Sequence, residues 1–419
     1  PSSTAKKNVR LASIEGIPPS LSNLPVGCRY AQRCTFAQDQ CHTEQPPMAD
    51  QDPSHIYACF HPVSGPSQIA AVEIRRAESV PGATQKPLLT VTSLVKEFPV
   101  GSALSLKSNS RVVHAVSDVS FEIRQGETFG LVGESGCGKT TIGRLITGIE
   151  GLTSGTINFA DSETDGKKGR ELRKALARER QMMFQDPYAS LDPRMRVGDI
   201  IAEPLAIQGR GSKADRYNRV LELFDKVGLD KSAIDRFPHE FSGGQRQRIG
   251  LARALALDPR LIVADEPVSA LDVSIQAQIL NLMGDLQQEL GLSYIFISHD
   301  LAVVRFIAQR VGVMYLGQLV EIGDINSVFD TPAHHYTSAL IASAPTPDPD
   351  AKKATGAERI RLMGELPSPI DLPTGCRFNT RCPAATDLCR TVEPQLESIN
   401  NDHQVRCHFP LHKGSVAAQ

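Results

Sequence analysis

The sequence has no excess of charge of either sign: 45 Lys and Arg against 47 Asp and Glu give a formal net charge of −2. With a pI near 6.7, it lacks the basic footprint of a nucleic-acid binder, and no nucleic-acid partner is expected. No apolar run approaches the roughly 18 residues that cross a bilayer as a helix. The first residues do not have the layout of a signal peptide. A cytosolic or cytosol-facing protein is therefore expected, where stable disulfides are uncommon. Tryptophan is absent, and the composition is otherwise ordinary, 41% hydrophobic and 22% charged. The chain opens on Pro1 and not on Met, as a fragment or a processed chain would. Its length allows two or three domains with at least one sizeable core.

Cysteine is also sparse, nine in 419 residues, yet eight of the nine fall into two groups. "GCRYAQRCTFAQDQC" (27–41) is followed by Cys59, and "GCRFNTRCPAATDLC" (375–389) by Cys407. Both groups read C-x5-C-x6-C-x17-C, and each pair is offset by 348 positions: Cys28 with Cys376, Cys34 with Cys382, Cys41 with Cys389, Cys59 with Cys407. Gly27, Arg29, Arg33, Pro19, Pro25, Pro46 and His55 repeat as Gly375, Arg377, Arg381, Pro367, Pro373, Pro394 and His403. This is a duplicated module. Buried free cysteines would not need four matching positions. Disulfides suit the even number but not the compartment. A metal suits both. Zinc sites usually contain C-x2–4-C pairs, which neither copy has, whereas four thiolates on longer loops suit an iron–sulfur cluster. Chemistry alone leaves cluster and zinc open. His55 and His403 are equally open, as extra ligands, as donors behind the cysteines, or as surface residues.

The middle of the chain changes character. Residues 63–88, rich in Ser, Pro, Ala and Gly, read as a linker. Alternating apolar segments follow, and the buried run "TFGLV" leads into "GESGCGKTT" (133–141) and a helical "IGRLITGI". This is the phosphate-loop pattern in its strand-to-helix context. Its glycines leave backbone N–H groups free for phosphate oxygens, and the next helix turns its positive end toward them. Lys139 is expected at the β- and γ-phosphates, Thr140 at Mg²⁺, and Cys137 as a small filler. A second apolar strand, "RLIVADEP", places Asp265 to hold magnesium through water and Glu266 to orient the attacking water. A third, "LSYIFIS", ends at His299, a candidate γ-phosphate sensor. "FSGGQRQRIGLARAL" (241–255) starts another helix with small residues, a second anion site suited to a nucleotide held by another domain.

Together these segments resemble an ATP-binding cassette (ABC) ATPase over about residues 89–335. "GESGCGKTT" resembles Walker A, and implies nucleotide contacts from Gly133, Ser135, Gly136, Gly138, Lys139, Thr140 and Thr141. Gln185 in "MMFQDP" resembles the Q-loop glutamine, a further magnesium ligand and catalytic group. "FSGGQ" resembles the signature, with Phe241 in place of the usual Leu, and implies nucleotide contacts from Ser242, Gly243, Gly244 and Gln245. "LIVADEP" resembles Walker B, "SALD" (269–272) the D-loop, and His299 the switch histidine. Phe98 is the candidate for stacking on adenine.

"FQDPYASLDPRMRVGDIIAEPL" (184–205), "HHYTSALIASAP" and the cysteine module ending in "CHFP" are similar to the oligopeptide/dipeptide permease ATPases. The fold implied is α/β, an ABC ATPase (P-loop) domain with a helical subdomain near 187–255, flanked by two small cysteine-rich metal-binding modules. The resemblance implies ATP, Mg²⁺ and a 4Fe–4S cluster, with zinc as the alternative, on each set of four cysteines. Residues 1–62 look like the tail of a preceding ATPase, and 336–419 form the C-terminal extension with the second module. The implied partners are a second ABC ATPase domain upstream in the same gene product, two transmembrane permease subunits and an extracytoplasmic substrate-binding protein. The implied location is peripheral, on the cytoplasmic face of the membrane. DNA-repair ABC ATPases insert zinc modules or coiled coils between Walker A and the signature, but only roughly 100 residues separate Lys139 from Ser242 here. Ribosome-associated iron–sulfur ABC proteins carry their cysteines ahead of two complete ATPases, unlike the order here.

Overall fold

The structure is a computed structural model and describes residues 10–11, 13–14, 16, 19, 24–52, 55–63, 86–100, 111–162, 168–269, 271–343, 364–400 and 402–412. Most of the expected linker and Ala270 of the D-loop match lie outside the described residues. The N-terminal module contains helix α1 (Asp39–Thr43) and a two-stranded antiparallel sheet of β1 (Met48–Asp52) and β2 (His55–Ala58). Strand β3 (Pro87–Val100) starts within the stretch read as linker.

With β4 (Arg111–Arg124) and β6 (Ser154–Phe159), β3 forms an antiparallel sheet in the order β4-β3-β6. Among the described residues the main sheet has eight strands. Its parallel centre is β5 (Thr128–Val132), β7 (Arg180–Met183), β8 (Leu261–Asp265), β9 (Ser293–Ile297) and β10 (Arg310–Tyr315). Antiparallel β11 (Gln318–Asp324), β12 (Glu397–Asn400) and β13 (His403–Val405) extend one side. The order is β12-β13-β11-β10-β5-β9-β8-β7. The cysteine module's last hairpin is thus an edge of the ATPase sheet.

Every residue of β5, β8 and β9 is buried, as expected of strands covered on both faces. Side chains alternate between two cores. Phe129, Leu131, Val263, Ile295 and Ile297 face the three-stranded sheet and α2 (Lys139–Ile146), while Ile262, Ala264, Tyr294 and Phe296 face the opposite core. Helix α3 (Gly169–Glu179) leads into β7, and α4 (Pro187–Ser190), α5 (Val197–Gln208), α6 (Lys213–Val227) and α7 (Gly243–Leu255) build a helical layer over 187–255. Helix α6 begins with a reciprocal Ser212–Asp215 capping box and ends at Gly228 in the left-handed region, φ +67°. After α8 (Val273–Leu290) and α9 (Leu301–Ile307) come α10 (Ile325–Asp330), α11 (His335–Ser343) and α12 (Asp387–Thr391). The first described residues lie along α8: Asn281 exchanges two hydrogen bonds with the Leu11 backbone, and the Ile14 amide donates to Ser274 Oγ.

Candidate functional site

The site forms where β5, β8 and β9 end at their carboxyl edge. Strand β5 runs into the loop 133–138, which turns on glycines. A Cβ on Gly133 (φ +148°) would meet the Met314 carbonyl at 2.3 Å, and one on Gly138 (φ +104°) the Ala115 carbonyl at 2.2 Å. Ser135 is exposed on this loop, and Thr141 is half-buried in the first turn of α2. Lys139 is buried and its Nζ donates to the carbonyls of Gly133 (2.8 Å) and Glu134 (3.0 Å). The expected phosphate-binding lysine therefore folds back onto its own loop. Cys137 is buried beside it, and desolvation pushes its thiol pKa up. The filler role fits.

Strand β8 ends in the acidic pair. Asp265 Oδ1 accepts a hydrogen bond from Thr140 Oγ1 at 3.1 Å, which joins two of the three expected magnesium groups. Burial raises the Asp265 pKa, the Thr140 hydroxyl opposes this, and neighbouring Glu266 adds to the rise. Glu266 sits in the left-handed region, φ +47°, a cost that non-glycine residues tolerate mainly at functional sites. Its amide is anchored on the Ile297 carbonyl of β9 at 2.9 Å. Its carboxylate is clamped from two sides. Gln185 Nε2 donates to Oε2 at 2.9 Å, and His299 Nδ1 lies 3.1 Å from Oε1. Three expected catalytic residues, more than 110 positions apart in sequence at the extremes, thus meet on one carboxylate.

The signature starts α7. Ser242 Oγ accepts the Gln245 amide and Gln245 Oε1 accepts the Ser242 amide, a reciprocal cap. Gly244 passes so close to α8 that a Cβ would lie 2.3 Å from Ile275 Cγ2. Phe98 lies on β3, paired with Val113 of β4 and covered by Lys96 Nζ at 4.6 Å from the ring centroid.

The C-terminal cysteines Cys376, Cys382, Cys389 and Cys407 line one narrow cavity of about 10 Å³, beside His334 and Phe378. Burial pushes Cys376 up to about 11 and Cys407 up to about 12, and the neighbouring thiols add to both. Cys28, Cys34, Cys41 and Cys59 line one wider cleft of about 1260 Å³. Among the described residues, no three His, Cys, Asp or Glu side chains are placed to hold a metal ion. The metal sites expected at these eight cysteines are therefore not shown, although each set of four lines one cavity. Burial raises Cys382 as well, so desolvation favours the neutral thiol at Cys376, Cys382 and Cys407. His403 is none of the things expected of it. It is buried, with Nε2 2.7 Å from Glu321 Oε1, whose carboxylate also accepts the Ala333 and His334 amides. His55 is exposed.

Sequence reasoning missed Glu134, Tyr336 and Arg381. The Tyr336 hydroxyl accepts the Glu134 amide at 2.9 Å, and Arg381 binds the Glu134 carboxylate with two nitrogens, at 2.7 and 3.0 Å. The repeat of Arg33 at Arg381 was the available signal, but nothing local names the partner.

The family model for ABC transporters matches residues 116–269, and that for the oligopeptide/dipeptide transporter C-terminal region matches 1–41 and 320–389. The dipeptide transport ATP-binding protein DppF of Haemophilus influenzae is 50% identical over 327 residues, 77% of this chain and 96% of the relative. The oligopeptide transport ATP-binding protein AppF of Bacillus subtilis is 48% identical, over 78% of this chain and 98% of its own length. Among solved structures, the ATP-binding cassette MJ0796 bound to ADP and Pi aligns with a TM-score of 0.50 at 27% identity, over 57% of this chain and 98% of that one. The Walker-type loop, the clamped Glu266 and these matches agree: the chain belongs to the ATP-binding subunits of the oligopeptide/dipeptide ABC transporter family.

Proposed function

We propose that the chain hydrolyses ATP to drive import of oligopeptides or dipeptides across the cytoplasmic membrane. The Glu266 carboxylate held between Gln185 and His299, one residue beyond the Thr140–Asp265 bond, carries this reading. Lys139 leaves the carbonyls of its loop to bind phosphate oxygens, and N–H groups of the loop and of the first turn of α2 surround them. Thr140, Asp265 and Gln185 are the residues that would hold Mg²⁺, which when bound supplies neutralisation of phosphate charge. Glu266 orients a water and takes its proton on a carboxylate oxygen, while Gln185 and His299 fix the direction of that oxygen. Phe98 is proposed as the adenine platform.

Ser242, Gly243, Gly244 and Gln245 present the start of α7 to a nucleotide bound by a second ATPase domain, upstream in the same gene product, to which residues 1–62 form the tail. Two permease subunits and an extracytoplasmic binding protein complete the transporter. A cleft of about 230 Å³ lined by Phe184, Glu203, Pro204, Ile207 and Arg253 adjoins Gln185 and suits a short helix of the permease. Attachment is peripheral, at the cytoplasmic face, in this reading; among the described residues no helix is long and apolar enough to cross a membrane. Peptide cargo is supported by the names of the relatives.

In the assembled transporter, Glu266→Gln is expected to keep ATP affinity within about threefold and to lose about 10³-fold in turnover, the scale of general-base catalysis. Near wild-type hydrolysis by this variant would sink the assignment. Each four-cysteine set is further proposed to carry a 4Fe–4S cluster, with zinc as the alternative. The four thiols around one cavity are the right donors. Anaerobic purification with iron, sulfide and zinc assays tests this; reduced, unliganded cysteines in both modules would overturn it.

A further inference from the structure

Glu134 puts a negative charge in an anion-binding loop, where its carboxylate repels the phosphates the loop exists to bind. In the structure every polar group of Glu134 is engaged. Its carbonyl accepts from Lys139, its amide donates to Tyr336 of α11, and its carboxylate is bound bidentately by Arg381. The Arg381 side chain is only 6% exposed and that of Glu134 26%, so water screens the pair weakly. Arg381 directly precedes Cys382. A second arginine, Arg377, directly follows Cys376 and donates to the Leu316 carbonyl. The next residue, Gly317, donates its amide to the Cys137 carbonyl of the phosphate loop at 3.0 Å. Two contacts therefore run from the four-cysteine module to the phosphate loop, each starting beside a cysteine.

We propose that Arg381 is a positioning residue for nucleotide binding: it neutralises and pins Glu134, and so ties ATP affinity to the folding of the C-terminal cysteine module. The inference rests on residues 133–141 being the nucleotide site. It assigns Arg381 no contact with ATP.

The test is equilibrium titration of the 419-residue chain with a fluorescent ATP analogue and Mg²⁺. Arg381→Ala is expected to weaken binding about tenfold, the scale of a lost charge-assisted contact. Adding Glu134→Gln to that variant removes the unpaired carboxylate and is expected to bring affinity back to within about threefold of wild type. A merely structural arginine would not be rescued this way. Arg381→Lys, which keeps the charge and loses the second bond, is expected to fall between, and it carries the test if the alanine variant unfolds. Arg33→Ala, the counterpart in the other module, leaves binding unchanged. Wild-type affinity in Arg381→Ala, or a loss that Glu134→Gln does not relieve, overturns the proposal. A wild-type chain that binds no ATP overturns the nucleotide reading and this inference with it.

Discussion

The two cysteine modules have one backbone and two environments. Helices α1 and α12 span equivalent residues, 39–43 and 387–391. The Cys28 amide donates to the Cys41 carbonyl and the Cys376 amide to the Cys389 carbonyl, each at 2.8 Å. The hairpins share one register and one irregularity: Ala49–Tyr57, Asp50–Ile56 and Asp52–His55 repeat as Glu397–Val405, Ser398–Gln404 and Asn400–His403. The surroundings differ. Phe378 is buried among Tyr315, Tyr336 and His334, with ring centroids 5.3 to 5.7 Å away, while its counterpart Tyr30 is 43% exposed. His403 is buried on Glu321 and His55 is exposed. The buried Arg406 corresponds to Ala58. Local geometry is thus encoded within each module, but its core is borrowed from the ATPase beside it. This fits the small size of the module, since domains of this length rarely bury enough apolar surface alone.

The comparison breaks or holds most sharply at Phe378. Phe378→Ala empties the centre of an aromatic cluster and is expected to cost about 3–5 kcal/mol of docking stability. Tyr30→Ala, at the matching position, is expected to cost under about 0.5 kcal/mol. Urea titration with amide exchange of residues 376–407 as the local probe measures the first, and exchange of residues 28–59 the second. Equal costs at the two positions would mean that the modules stand on the same footing and that the C-terminal one borrows no core.

The candidate site was legible because its motifs are local. A glycine loop between a buried strand and a helix, and an apolar strand ending in Asp265 and Glu266, announce themselves within ten residues each. The clamp on Glu266 followed from strand order, since parallel neighbours β8 and β9 bring their carboxyl ends together. What was not legible depends on pairs far apart in the chain: Arg381 with Glu134, His403 with Glu321, and β13 with β11. Periodicity says that a residue is buried, not what it meets. The cysteine repeat was plain for the same local reason, but a repeat records spacing and not the distances between thiols. It pointed to two sets of four thiols, each of which lines one cavity, but not to how closely the sulfurs approach one another.

The smaller effect expected is a pH dependence that only the C-terminal module shares. His334 is buried, its Nδ1 accepts the Tyr336 amide at 3.0 Å, and burial pushes its pKa down to about 4. The charge on Glu321 opposes that shift and the neighbouring His335 adds to it; His403 and Arg406 are the other basic groups near Glu321. Protonation would set a donor against the donating Tyr336 amide. The folded state therefore holds His334 neutral while the unfolded chain takes up a proton near its ordinary value of about 6.5. Stability from this group is fully present above about pH 6.5 and is lost as pH falls toward 4, by at most about 3 kcal/mol. Urea midpoints between pH 7.5 and 4.5 are expected to fall for residues 376–407 more steeply than for residues 28–59, and His334→Gln is expected to flatten the slope. If that variant keeps the full slope, the acid sensitivity belongs to other groups, and the docked module gains nothing special from the buried histidine that Phe378 packs against.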